Sequence, residues 1–142
     1  MEFASRPWLA AVVERLNGHP GLAPALQGLG PDLALVVEPS PGFPAPVAVW
    51  GRHAGGRIAE WRVLHDEDEI LELEPAYVVR APYLLWKELL RGGDPVKAAL
   101  SGRLRVQGDL EALVRRAVHR PVADAALAAV ATGFPDEPGG GP

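Results

Sequence analysis

The spacing of apolar residues near the start of the chain predicts an amphipathic helix. The residues that recur every three or four positions are Trp8, Leu9, Val12, Val13 and Leu16. Ser5 can cap such a helix, and Pro7 suits its first turn. Gly18 follows the last of these apolar residues, so we expect the helix to end there.

Short apolar runs rich in β-branched residues predict strands at residues 32–39, 47–52 and 76–81. After the second run, the turn signal Ala54-Gly55-Gly56 predicts a β-hairpin. In the returning strand of this hairpin, every second residue is apolar and most of the others are charged. Such alternation predicts one buried face, made of Ala59, Trp61 and Val63.

Two stretches of the second half have helical spacing. Residues 82–92 carry a broad apolar stripe, formed by Leu85, Trp86, Leu89 and Leu90. Residues 122–134 contain a single charged residue, Asp124, so the last helix is apolar on almost all sides. We expect it to be covered by the rest of the fold, by a partner subunit or by an apolar ligand.

Residues 94–113 lie between these two stretches and combine three short elements. Asp94 can cap a short helix that begins at Pro95, and Asp109 can cap another. Between the two helices, Leu104 and Val106 alternate with polar residues, which predicts a half-buried strand.

The order of elements predicts an α+β fold with a five-stranded, mainly antiparallel sheet covered by helices on one face. A single domain is expected over residues 1–134, because 142 residues suit one domain. The Pro- and Gly-rich residues 135–142 are expected to form a flexible tail.

Composition narrows the classes of function. The chain has no Cys, which excludes thiolate catalysis and disulfides, and its net charge of −4 argues against a nucleic-acid partner. No apolar run reaches the 18 residues of a membrane span, and the start of the chain is unlike a secretory signal, so we expect a cytoplasmic protein. Twelve of the fourteen basic residues are Arg, and with 15 Pro this suggests a thermophile-like composition.

The residues that could act in catalysis or bind a metal lack the neighbouring side chains that either role would require. His19, His53, His65 and His119 have no second His at a ligand spacing. The run His65-Asp66-Glu67-Asp68-Glu69 could in principle hold a divalent cation in a metal-dependent enzyme. Five consecutive side chains cannot all converge on one ion, however, so a solvated acidic loop or helix start is favoured. The sequence therefore predicts no catalytic residue, no metal and no cofactor.

The segment 94–113 resembles a signature of the sterol carrier protein-type lipid-binding domain family. That signature is an Asp-Pro pair, a short helix, Ser-Gly, a strand, Gly-Asp and an apolar helix. The matching residues here are Asp94, Pro95, Ser101, Gly102, Arg103, Leu104, Val106, Gly108 and Asp109. The resemblance covers residues 76–118 well and is only architectural over residues 1–75.

The resemblance implies a hydrophobic tunnel between sheet and helices and a protein that binds or transfers lipids without catalysis. The implied ligands are fatty acids, acyl thioesters, phospholipids or isoprenoid quinone precursors, and a bacterial source is expected because the final residues are not a peroxisomal address. We expect tunnel walls and a movable lid formed by residues of the second half and of the hairpin. The predicted walls are Trp61, Val63, Tyr77, Val79, Trp86, Leu89, Leu104 and Val106, and the predicted lid is Leu127, Val130 and Phe134.

An alternative hypothesis is an interaction module, in which the apolar C-terminal helix packs on a partner or on a second copy of the chain. The sequence thus leaves open a homodimer and transient contact with a membrane surface. It does not identify the ligand.

Overall fold

The computed structural model describes residues 1–137. Its five strands are β1 (Asp32–Glu38), β2 (Val47–Ala54), β3 (Arg57–Val63), β4 (Tyr77–Pro82) and β5 (Arg105–Gln107). They form one open sheet in the order β3-β2-β1-β4-β5. Only the central β1–β4 pair is parallel, and the other three neighbouring pairs are antiparallel. The predicted α+β fold with a mainly antiparallel sheet is confirmed.

Seven α-helices accompany the sheet within residues 1–137. They are α1 (Arg6–Asn17), α2 (Leu22–Leu26), α3 (Asp68–Leu73), α4 (Tyr83–Leu90), α5 (Pro95–Leu100), α6 (Leu110–Arg115) and α7 (Arg120–Ala128), with a 3-10 turn over Arg116–His119. The predicted caps are confirmed, because the side chains of Ser5, Asp94 and Asp109 each accept a hydrogen bond from an N–H in the first turn of the following helix. Every one of these helices falls short of the length and apolar character that crossing a membrane requires.

The β2–β3 hairpin turns at Gly55 and Gly56, whose φ angles of 63° and 78° suit glycine in a two-residue turn. The register shifts after Arg52, so that Ala59 becomes the extra residue of a bulge. The prediction that Ala59 shares the buried face of Trp61 is therefore wrong. Ala59 is exposed, and the half-buried Ile58 takes its place.

The central strand β1 contributes apolar side chains to both faces of the sheet. Ala34 and Val36 are fully buried on one face, which we call the α3 face because Ile70 of α3 covers it. The acidic run that precedes Ile70 is a helix start, as the favoured interpretation expected: Asp66 accepts from the Asp68 N–H, and Glu67 pairs with Arg80. No helix was predicted to cover this second face. The sheet is covered on both sides, whereas helices were expected on one.

The remaining helices pack on the opposite face, which we call the helix face. Two apolar clusters lie there. The aromatic cluster contains Phe3, Trp8, Val37, Phe43, Tyr83, Val130 and Phe134. The β5 cluster is built around Val79, Ala81, Leu85, Ala98 and Leu104. Gly108 lies beside the β5 cluster, and a Cβ there would come within 2.4 Å of the Ala76 carbonyl oxygen, so the close approach of the two chain segments requires glycine.

Ion pairs hold residues 136 and 137 against α4. Lys87 Nζ lies 2.9 Å from Asp136 and 2.6 Å from Glu137, and Arg91 lies 2.7 Å from Glu137. The Tyr83 hydroxyl donates to Asp136 Oδ1. The predicted tail thus begins with residues that contact α4, and its residues 138–142 lie outside the described residues.

These contacts shift the pKa values of the groups involved. Hydrogen bonds from Tyr83 and then Lys87 lower the pKa of Asp136 below its usual range. Hydrogen bonds from Arg91 and then Lys87 lower the pKa of Glu137. Burial, followed by the hydrogen bond to Asp136, raises the pKa of Tyr83. The lowered pKa values of Asp136 and Glu137 favour the ion-paired state near neutral pH, and the raised pKa of Tyr83 keeps its hydroxyl protonated as a donor.

Candidate ligand-binding site

A cavity of about 490 Å³ lies between the helix face of the sheet and the helices that cover it. The sheet contributes one wall, formed chiefly by Leu33, Leu35, Val37, Val47, Val49, Ile58 and Trp61. The helices contribute the other wall, formed chiefly by Trp8, Leu9, Val12, Val13, Leu16, Leu22, Leu26, Trp86, Leu90, Ala123 and Leu127. The lining is therefore almost entirely aliphatic or aromatic.

The alternating pattern of β1 forms the floor of this cavity. Because successive side chains of a strand point to opposite faces, Leu33, Leu35 and Val37 all point away from the α3 face. The apolar stripe of α1 lies over the same face and closes the cavity from above. Both faces of β1 are covered, which explains its nearly continuous apolar sequence.

Side-chain hydrogen bonds fasten α1 at both of its ends. Trp8 Nε1 donates to Thr132 Oγ1 at 2.8 Å, which connects the first turn of α1 to the segment after α7. At the other end, the amide of Asn17 exchanges two hydrogen bonds with the backbone of Ile58 in the edge strand β3. The helix is thus joined to the sheet by defined polar contacts, while its apolar stripe remains available to the cavity.

Trp86 is fixed at the junction of the two parallel strands. Its indole Nε1 donates to the carbonyl oxygens of Val36 and Ala81, each at 3.1 Å. The polar atom of the ring is therefore satisfied by the protein itself. What Trp86 offers to the cavity is apolar surface.

Eleven residues were predicted to contact a ligand, and the structure separates them into groups. Three line the cavity: Trp61, Trp86 and Leu127. Four belong to the β5 cluster or pack against it: Val79, Leu89, Leu104 and Val106. Val130 and Phe134 are buried in the aromatic cluster.

The other two predicted wall residues also lie outside the cavity lining. Tyr77 is buried, and its hydroxyl accepts a hydrogen bond from the Gly30 N–H at 3.0 Å. Val63 lies on the edge strand opposite Val49. Movement of Leu127, Val130 and Phe134 as a lid stays a prediction.

Most of the cavity wall comes from residues that sequence analysis assigned only to secondary structure. The stripe of α1 and the alternate positions of β1 and β2 were recognised as apolar, and the signal for the site was already in those patterns. What the patterns could not indicate is which of the apolar side chains border an empty volume.

The apolar residues of α7 face the protein. Val122 and Ala126 are buried and Leu127 is half-buried, whereas the exposed positions of this helix are small or polar, such as Ala125, Ala128 and Asp124. The rest of the fold therefore covers the last helix, which is one of the three explanations considered above. No large apolar side chain of α7 remains exposed for a partner, since Arg120–Ala128 is described in full.

The histidines and the acidic run are not gathered into a reactive site. Within residues 1–137, no three His, Asp or Glu side chains form a group that could hold a metal ion. His19 Nδ1 accepts from the Gly21 N–H, and His53 Nε2 lies 2.8 Å from the Gly30 carbonyl oxygen. Both rings are therefore engaged with the backbone.

Comparison with known proteins identifies the fold. No family model and no curated protein matches the chain. Among solved structures, the crystal structure of sterol carrier protein 2 is similar with a TM-score of 0.72 and 27% identity, over 89% of this chain and 98% of that chain.

Two further structures agree with this result. The solution structure of a conserved hypothetical protein from Thermus thermophilus, suggested to be a sterol carrier protein, gives a TM-score of 0.66 at 24% identity, over 90% of this chain and 87% of that chain. The apo form of sterol carrier protein 2 from Yarrowia lipolytica gives 0.56 at 11% identity, over 88% and 93%. The chain therefore has a sterol carrier protein 2-like fold, and the resemblance noted in residues 76–118 is confirmed.

Proposed function

We propose that this protein binds a hydrophobic ligand of the lipid class in the cavity under α1 and carries it without transforming it. The proposal rests on the almost wholly apolar lining of this cavity of about 490 Å³. Pockets for small molecules usually measure about 300–1,000 Å³ and are lined mainly by apolar side chains. The fold supports the same function, because the similar structures include proteins named as sterol carriers.

The volume favours a ligand with one hydrocarbon chain. If a methylene group takes about the 30 Å³ that a water molecule occupies in the liquid, the cavity holds roughly 16 carbons. A fatty acid, an acyl thioester or a short isoprenoid fits this limit. Both chains of an ordinary phospholipid do not fit without expansion of the cavity.

Apolar burial alone can supply enough affinity. Each buried methylene contributes about 0.8 kcal/mol, so a chain of a dozen carbons gains roughly 10 kcal/mol before the costs of association. No reactive group is required for such binding, which is consistent with a carrier. Release would follow from movement of α7, whose Leu127 lies over the cavity.

Tryptophan emission provides the experiment. Three of the four Trp residues, at positions 8, 61 and 86, line the cavity, whereas the ring of Trp50 packs on the α3 face. Titration of the purified protein with palmitate, palmitoyl thioester, a phospholipid and an isoprenoid alcohol should shift or quench this emission saturably for single-chain compounds. A flat response to the whole panel, in protein shown to be free of endogenous lipid, would contradict the proposal.

A further inference from the structure

Trp86 lies between two apolar regions of the helix face. It lines the cavity, and it also packs against the β5 cluster. The residues one turn later on α4 are divided between the same two regions. Leu90 lines the cavity, whereas Leu89 packs against the β5 cluster and lies outside the cavity lining. On α4, the boundary between the cavity and the β5 cluster therefore passes through Trp86.

Leu35 of β1 marks the same boundary on the sheet. Like Trp86, it lines the cavity and packs against the β5 cluster. Its partner on the parallel strand β4 is Val79, which is buried in the β5 cluster and lies outside the cavity lining. The cavity thus ends where β1 meets β4, and the side chains of the β5 cluster fill the space beyond this line.

Two hydrogen bonds hold the indole ring of Trp86 at this boundary. Its Nε1 donates to the carbonyl oxygens of Val36 on β1 and Ala81 on β4, each at 3.1 Å. Rotation of the ring out of this position would break both bonds and leave the N–H without a partner in apolar surroundings, which is unfavourable. Since a hydrocarbon chain offers no hydrogen bond in return, the ring is a fixed wall rather than a movable one.

We infer that Trp86 is the end wall of the cavity and sets the length of the longest hydrocarbon chain that the protein accepts. The inference rests on the proposed function and adds a specificity-determining residue to it. A chain below this limit gains affinity with each carbon that it buries, because each methylene group leaves water. A longer chain meets the indole ring, so its extra carbons stay outside the cavity and add no affinity.

Straight-chain fatty acids of about 10 to 20 carbons test the inference, because only the buried length varies along the series. Isothermal titration below the critical micelle concentrations measures each Kd on the full, lipid-free chain. The variants are Trp86→Ala, Leu89→Ala and the double variant. Leu89→Ala is the matched control, because it opens space in the β5 cluster on the far side of Trp86. Circular dichroism shows whether each variant is folded.

We expect the wild-type Kd to fall about fourfold for each added carbon and to level off at roughly 16 carbons. Trp86→Ala should move this limit by about two to four carbons, because the volume of the ring becomes available to the chain. Leu89→Ala alone should leave the limit unchanged, since the ring still separates the new space from the cavity. In the double variant the limit should exceed that of Trp86→Ala, and this non-additivity would show that Leu89 lies behind the end wall.

Three results would overturn the inference and leave the proposed function intact. They are a wild-type affinity that keeps rising through the whole series, a limit that stays the same in Trp86→Ala, and a limit that Leu89→Ala moves as far as Trp86→Ala does. Failure of every fatty acid to bind the wild-type protein would instead contradict the proposed function, and the end wall with it.

A smaller truncation decides the point if Trp86→Ala is unfolded. Trp86→Leu keeps an apolar side chain but vacates part of the ring volume. A limit longer than that of the wild type by about one or two carbons would support the inference, and an unchanged limit in the folded Trp86→Leu protein would contradict it.

Discussion

Asn17 acts as a short strand partner for Ile58 at the open edge of the sheet. The Ile58 N–H donates to Asn17 Oδ1 at 2.8 Å, and Asn17 Nδ2 donates back to the Ile58 carbonyl oxygen at 3.1 Å. Both backbone groups of an edge-strand residue are thereby satisfied by one side chain. The same contact connects the last turn of α1 to the sheet at Ile58, which lines the cavity.

Removal of this contact should loosen the cavity wall. Two net hydrogen bonds are worth about 1–3 kcal/mol, so we expect Asn17→Ala to lower the free energy of unfolding by that amount in urea titrations. Glu14→Gln, at an exposed position of the same helix, is the control and should be nearly neutral. An Asn17→Ala protein as stable as the wild type would show that the contact does not hold α1.

Partial filling of the cavity should weaken binding. Val49 lines the cavity, and Val49→Phe would displace at least two methylenes of a bound chain, which corresponds to about 1.6 kcal/mol and more than a tenfold rise in Kd. Val106→Phe is the matched control, because Val106 packs against the β5 cluster and not around the cavity. Isothermal titration with palmitate measures both. Loss of affinity in Val106→Phe but not in Val49→Phe would instead place the ligand against the β5 cluster, where four of the wall residues predicted from sequence lie.

Two neighbouring residues of α3 differ strongly in burial and allow a matched test of the core on the α3 face. Ile70 is 6% exposed in the core of that face, whereas Leu71 is 75% exposed. We expect Ile70→Ala to destabilise the protein by about 2–5 kcal/mol and Leu71→Ala by less than about 0.5 kcal/mol, as measured by urea unfolding. The affinity of the Leu71→Ala protein for palmitate should be unchanged, because α3 lies on the far side of the sheet. A large cost for Leu71→Ala would mean that this leucine is covered in solution.

Local sequence patterns were sufficient to predict the features that depend on neighbouring residues alone. The caps at Asp94 and Asp109, and the hairpin turn at Gly55, were predicted because each depends on short-range chemistry. The bulge at Ala59 was not predicted, since a register shift depends on the partner strand. The acidic run at the start of α3 did not indicate that this helix contributes Ile70 to a core.

The apolar character of the site was predictable from the sequence, but its position was predictable only in part. Trp61 and Trp86, predicted as walls, and Leu127, predicted as part of a lid, do line the cavity, but apolar character is shared by residues that lie away from it. Leu104 packs against other apolar residues of the β5 cluster, whereas Leu33 borders the cavity. Whether an apolar residue faces atoms or empty space depends on the packing of distant elements, and no local pattern contains that information.

The contacts of residues 136 and 137 with α4 should depend on pH in a defined direction. The pKa values of Asp136 and Glu137 are lowered in the folded protein, so their stabilising effect is present above the ordinary carboxyl range and is lost as the pH falls through the lowered values. The raised pKa of Lys87 keeps this contribution intact below 10.5, and it is lost only as the pH rises through the higher folded value.

We therefore expect Asp136→Asn to lower the melting temperature at pH 7 and to have little effect well below pH 3.8, the usual pKa of this carboxyl. Asp124→Asn is the control, because Asp124 is exposed and lies 3.5 Å from Arg120 on its own helix. Melting curves from about pH 2 to about pH 9 give the comparison. An effect of Asp136→Asn that is independent of pH would exclude the ion pairs as its cause.

If the protein is a carrier, the cavity under α1 holds one hydrophobic molecule. Native mass spectrometry of the purified protein, after incubation with palmitate, measures this directly. We expect a species heavier by one palmitate in the wild-type and Val106→Phe proteins, and a much smaller population of this species in Val49→Phe at the same palmitate concentration. An unshifted mass in all three proteins, or an equal population of the complex in Val49→Phe, would contradict it.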